Sequence, residues 1–165
     1  MSRRLKRGAA WGFGLAALVF LADRASKAWL IDVMQENGGP IELTPFFNLV
    51  MVWNRGISFG LFQADDTGRW LLVGLSLAIV VLLAVWLSRG ETRAVMLALG
   101  AVIGGALGNV YDRIWLPQRA VADFFDLHVA GWHWPAFNIA DAGITLGVLW
   151  LVVDSLRSDA QRTKT

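Results

Sequence analysis

Two aspartates could do chemistry in this chain. Asp141 lies inside the otherwise uncharged run from Ala136 to Val153, and Asp123 sits in Val121-Ala122-Asp123-Phe124-Phe125. A carboxylate at mid-bilayer depth costs roughly 2.5 to 3.5 kcal/mol on insertion scales, so an intramembrane acid marks a functional site whose partner should be sought. Two carboxylates held close together cannot both ionise cheaply. One keeps a proton; the ionised one can take a proton from water, while the protonated one polarises a carbonyl and later protonates a leaving amine. That is the chemistry of an aspartyl protease dyad, and its titration belongs to the pair. Asp23, Asp112 and Asp126 could also supply an acid. Asp112 abuts Arg113 and Asp23 has Lys27 one helical turn on, whereas Asp123 and Asp141 have no cation adjacent in sequence.

Other chemistries fit poorly. The absence of Cys excludes thiol catalysis and disulfides. His128 and His133 flank a turn without metal-ligand spacing, so neither a metal nor any other cofactor is expected. Ser26 beside Lys27, and Ser58, lack the context of an activated nucleophile. No basic stripe interleaves with aromatics, so no nucleic acid is expected, and a monomer is.

The elements that must position these residues are membrane helices. With 165 residues and 56% hydrophobic side chains, and a mean hydropathy of +0.51, the chain reads as a single membrane-embedded domain: an α-helical polytopic protein with four transmembrane helices and a small exported β-cradle. The helices are expected at about residues 9–31, 70–87, 94–111 and 136–153. The first must continue past Ala22 through Asp23, Arg24 and Lys27 to about Ile31. It follows a basic N-terminus as a secretory signal does, but Phe20-Leu21-Ala22 offers no small-x-small cleavage site, so retention is expected. Segments 40–62 and 120–135, rich in aromatic and β-branched residues and punctuated by Pro45, Gly56, Gly60 and Gly131, read as short exported strands. Phe46, Phe47, Trp53, Trp132 and Trp134 suit a platform at the lipid headgroups.

Nine flanking Lys and Arg fall on the side of the N-terminus (Arg3, Arg4, Lys6, Arg7, Arg89, Arg93, Arg157, Arg162, Lys164), against Arg55, Arg69, Arg113 and Arg119 on the other. Both termini are therefore expected in the cytoplasm. With that topology Asp23, Lys27, Asn109, Asp112, Arg113, Asn138 and Asp141 converge near the exported face, within reach of Asp123. Asp141 is expected roughly 8 to 9 Å below Pro135 at 1.5 Å per residue. A proton-coupled transporter would distribute polar groups through the bilayer, and here the inner halves of the later helices carry no charge. A passive binding or assembly factor could use the same groove but would not require two convergent acids.

Five ordered blocks resemble the lipoprotein signal peptidase (signal peptidase II) family: Asp23-Arg24-Ala25-Ser26-Lys27, Asn54 to Gly60, Gly104 to Arg113, Val121 to Phe124, and Phe137-Asn138-Ile139-Ala140-Asp141. The one departure is Ser58, where that family often has Ala. The resemblance implies a bacterial inner-membrane aspartyl endopeptidase that cuts signal peptides from prolipoproteins before the diacylglyceryl-modified cysteine, in contact with membrane lipids and near the periplasmic face. It implies a catalytic pair at Asp123 and Asp141, and substrate-binding or site-ordering roles for Asp23, Lys27, Asn54, Gly56, Asn109, Asp112, Arg113 and Asn138. Gly105 and Gly108 are expected to permit close helix contact.

Overall fold

The computed structural model describes residues 3–56 and 66–162. Four helices and four strands follow in the order α1 (Arg3–Asn37), β1 (Ile41–Thr44), β2 (Phe47–Asn54), α2 (Asp66–Arg89), α3 (Arg93–Trp115), β3 (Val121–Val129), β4 (Trp132–His133) and α4 (Ile139–Arg162). Ser58 and the end of the first strand-rich segment, through Phe62, lie outside the described residues.

α3 is the hub, packed by α1, α2 and α4. Its small residues explain the close approach. A Cβ on Gly100 or Gly104 would collide with the Gly12 or Ala16 carbonyl of α1, and one on Gly105 with the Ala140 carbonyl of α4. Small residues four apart let helix backbones meet where lipid supplies no hydrophobic drive. Thr92 caps α3, its hydroxyl accepting from the Val95 N–H at 3.3 Å.

Among the described residues, three helices are long and apolar enough to cross a membrane: Asp66–Arg89, Arg93–Trp115 and Ile139–Ser158, with mean hydropathies of 2.7, 1.7 and 1.7. α2 buries little beyond Arg69, Val73 and Leu87 and presents Leu71, Leu75 and Leu82 outward, as a lipid-facing helix does. α1 is not among the three. Its 35 residues span about 52 Å at 1.5 Å per residue, but Asp23, Arg24 and Lys27 interrupt its apolar run.

Helix ends depart from the sequence expectation. α1 runs well beyond residues 9–31, because no helix breaker intervenes before Gly38, which takes φ +71° and donates to the Met34 carbonyl at 3.1 Å. α3 extends through Asp112 and Arg113 to Trp115. α4 starts at Ile139 rather than 136, since Phe137 is held extended against β3, exchanging N–H and carbonyl bonds with Phe125 at 3.1 and 2.9 Å. Asp141 consequently lies in the first turn of α4, shallower than a helix beginning at 136 would put it.

The strands form one antiparallel sheet ordered β1-β2-β3-β4. β1 and β2 leave between α1 and α2, and β3 and β4 between α3 and α4, so the β2–β3 pairing ties both connections together at one end of the helices. The β3–β4 turn is at Ala130-Gly131, both with positive φ (51° and 80°), the backbone that a two-residue hairpin requires. Leu30 and Met34 of α1 pack with Leu49 and Phe124 beneath the sheet.

Candidate active site

The start of α4 builds the first half of the site. The Asn138 side-chain oxygen accepts from the Asp141 N–H at 2.9 Å, and a carboxylate oxygen of Asp141 accepts from the Asn138 N–H at 3.2 Å. This reciprocal capping box fixes the Asp141 rotamer at the positive end of the helix dipole. The other Asp141 oxygen accepts from the Asn109 amide at 2.8 Å.

β3 supplies the second half. Asp123 pairs with Val52 across the β2–β3 ladder, which places Asn54 diagonally on the same face. Its two carboxylate oxygens accept from the Asn54 amide at 3.1 Å and the Asn138 amide at 2.6 Å. Asn138 thus touches both acids, one through its side chain and one through its backbone. Asp123 and Asp141 line one cavity of about 390 Å³, together with Asn54, Trp134, Phe137 and Leu146. Burial, and then the neighbouring Asp141 charge, push the Asp123 carboxyl up to about 7, against the smaller opposing pull of Asn54, Asn138 and Lys27.

A buried charge cluster braces this pair from α1. Lys27 is fully buried and its ammonium meets Asp23 at 2.9 Å, Asp112 at 2.7 Å and the Asn109 side-chain oxygen at 3.2 Å. Asp23 accepts from the Ala140 N–H at 3.0 Å, and Asp112 from the Ala122 N–H at 3.3 Å. Each acid therefore holds the backbone residue just before a dyad candidate. The cation of Asp112 is not Arg113, its sequence neighbour: Asp112 pairs with Arg24 and Lys27. Residues adjacent on a helix point about 100° apart, and Arg113 donates instead to the Gly56 carbonyl at 2.7 Å and the Asn109 carbonyl at 3.3 Å.

Asp126 does not join the cavity. Side chains alternate along β3, so Asp126 faces away from Asp123 and bonds Asn48 at 3.1 Å and His133 at 2.9 Å. Among the described residues no group of three or more His, Cys, Asp or Glu is placed to hold a metal. Two contributors escaped sequence reasoning. Arg24 lies within the first block yet had no assigned role, and it also covers the Tyr111 ring at 4.2 Å. Arg69, read only as a flanking charge, is buried and donates to the Arg113 carbonyl at 3.0 Å, tying α2 to the last turn of α3. The signal for Arg69 was Asp66 three residues earlier, which pairs with it at 3.3 Å.

The fold sets the class. Two solved bacterial membrane enzymes share it, one with a TM-score of 0.78 at 24% identity over 91% of this chain and 90% of that one. The other gives 0.74 at 26% identity over 88% and 92%. The chain is likewise a multi-pass membrane protein. Residues 15–157 match the family model of signal peptidase (SPase) II. A lipoprotein signal peptidase of Methylorubrum extorquens is 49% identical over 148 residues, covering 87% of this chain and 84% of the relative. One from Burkholderia thailandensis is 42% identical over 146 residues, covering 87% and 86%. The chain belongs to the signal peptidase II family and is an aspartic peptidase, a hydrolase.

Proposed function

We propose that this protein removes signal peptides from prolipoproteins by cleaving before the diacylglyceryl-modified cysteine, with Asp123 and Asp141 as the water-activating pair. The observation that carries this reading is that, of the five acids considered, only these two line the shared cavity, each held by asparagine amides. Asp23 and Asp112 are engaged by Lys27, and Asp126 faces elsewhere.

With one proton on the pair, the raised Asp123 carboxyl holds it, and Asp141 takes a proton from water as that water attacks the scissile carbonyl. Asp123 passes its proton to that carbonyl oxygen, giving a tetrahedral diol; the C–N bond then breaks as Asp141 gives its proton to the departing amine and a diol hydroxyl returns one to Asp123, restoring the pair. Asn54 and Asn138 hold Asp123, while Asn109 holds Asp141 and is itself oriented by Lys27. Arg113 holds the Gly56 carbonyl that follows Asn54 by two residues. Substrate enters sideways from the outer leaflet, and the sheet above limits competing water. The enzyme works as a single membrane-embedded, monomeric domain of the bacterial inner membrane. α1 serves as the fourth span, both termini are cytoplasmic, and the site lies near the periplasmic face. Exposed Phe46, Trp132 and Trp134 on the sheet support a position at the headgroups.

The test is cleavage of a purified diacylglyceryl precursor in detergent by Asp123→Asn and Asp141→Asn. Each substitution should lower kcat by at least about 10²- to 10⁴-fold, the usual contribution of a positioned acid or base. Near-normal turnover by either variant removes that residue from the pair.

A further inference from the structure

Charged side chains from four elements share the region around the acid pair. α1 brings Asp23, Arg24 and Lys27, α3 brings Asp112 and Arg113, β3 brings Asp123 and α4 brings Asp141. Arg113 lies within electrostatic range of Asp141, Asp112 and Asp123, and Lys27 within range of Asp123. Among the described residues, the other charges nearby are engaged elsewhere. Arg69 of α2 pairs with Asp66 at 3.3 Å, Asp126 turns to Asn48 and His133 on the other face of β3, and Arg55 is exposed. Four acids therefore face three cations, one negative charge in excess. A single proton on Asp123 and Asp141 removes that excess, and uncompensated charge is what burial away from water penalises most.

Arg24 decides this balance. Its guanidinium donates to one oxygen of Asp112, while Lys27 meets the other at 2.7 Å. An arginine snorkelling to headgroups would carry its charge into water, but the Arg24 side chain is only 17% exposed and lies over the Tyr111 ring at 4.2 Å. Tyr111 stacks in turn on Trp115 at 5.0 Å, so the guanidinium is held between a ring and a carboxylate. Without it, Lys27 alone would serve Asp23, Asp112 and the Asn109 side chain. Asn109 is the amide that holds Asp141, and Asp112 holds the Ala122 N–H beside Asp123.

We propose that Arg24 is a positioning residue for the acid pair: it engages Asp112 so that Lys27 can hold Asn109, and it supplies the third cation that leaves the cluster neutral with one proton on Asp123 and Asp141. This rests on the acid-pair reading above. Arg24 touches neither acid of the pair, and acts through Asp112 and through its charge.

The experiment is a pH–rate profile of kcat/KM in detergent, with a lipidated precursor, for the wild type and three variants. A unit charge roughly 10 Å away shifts an ionisation by about one pH unit at an effective dielectric of about 20. Arg24→Gln should move the alkaline limb upward by about half to one unit, because the uncompensated negative charge makes the pair keep its proton to higher pH. Arg24→Lys keeps the charge and should leave the limb in place. Arg24→Gln combined with Asp112→Asn removes one charge of each sign and should also show the wild-type limb, even where its kcat is low. The double variant carries the test if Arg24→Gln alone does not fold. An Arg24→Gln limb at the wild-type position, or a displaced limb in either charge-conserving variant, would overturn the assignment. A wild type whose kcat/KM does not fall as pH rises through about 7 would instead remove the acid-pair reading on which it rests.

Discussion

Asp123 is almost wholly buried, and its carboxyl is pushed from 3.8 up to about 7 by that burial and by Asp141. The sign for activity follows directly. The pair needs one proton, so kcat/KM should fall as pH rises through about 7, measured as a pH–rate profile with the lipidated precursor. Stability moves with the same group. An acid whose folded-state value is raised loses stability as pH climbs from its unfolded value through the folded one, here from about 3.8 to about 7. Asp123→Asn should therefore raise the melting temperature in detergent more at pH 8 than at pH 4, while abolishing turnover; equal shifts at both pH values would show that the site does not strain the fold through charge. The meeting of these two acids at one cavity was legible in the sequence because one interrupts an apolar run and the other has no local cation. The partner of Asp112 was not legible, since Arg24 lies 88 residues away and only helix packing brings the two together.

Helix ends and helix faces decide whether those side chains meet. The apolar runs located α2, α3 and α4 and the aromatic segments located the sheet, but local pattern placed the start of α4 too early. A single cross-strand bridge at Phe137 holds the chain extended past Pro135, and that tertiary contact has no signature in the run itself. The glycines of α3 were expected as packing residues, and their facing neighbours now give them unequal weight. A Cβ at Gly105 would overlap the Ala140 carbonyl, beside the residue pair that carries Asp141. Gly105→Ala should push α4 outward and cost about 10- to 100-fold in kcat, as misplacement of reacting groups by about 1 Å does. Gly74 of α2 has open space at its Cβ position, so Gly74→Ala should be neutral or slightly stabilising, by up to about 1 kcal/mol of helix propensity. Turnover and melting temperature of the two variants, side by side, separate close packing from a general intolerance of substitution.

The whole chain reaches its topology through the sheet. Strands from two different connections pair with each other, so the C-terminal ends of α1 and α3 and the N-terminal ends of α2 and α4 share one face, and the turn from Arg89 to Arg93 lies on the other. α1 is the element that hydropathy alone leaves open, because three charges interrupt it. Those charges are buried against α3 and α4 at the depth of the site: Lys27 and Asp23 are fully enclosed, and Arg24 is paired with Asp112. From Asp23 back to Arg3 the helix has 20 further residues, about 30 Å at 1.5 Å per residue, which matches the hydrocarbon thickness of a bilayer. Its charges therefore need no lipid contact, and the rest of it is long enough to reach the opposite surface. Cytoplasmic fluorescent-protein fusions at the N-terminus, in the turn at residues 90–92 and at the C-terminus should all report a cytoplasmic location, and an export-dependent phosphatase inserted at residues 117–119 should be active. An exported N-terminus would leave three spans and would also contradict the excess of Arg and Lys on that side. It would detach the α1 charge cluster from the depth at which it holds Asn109 and Ala140, and with it the geometry proposed for the acid pair.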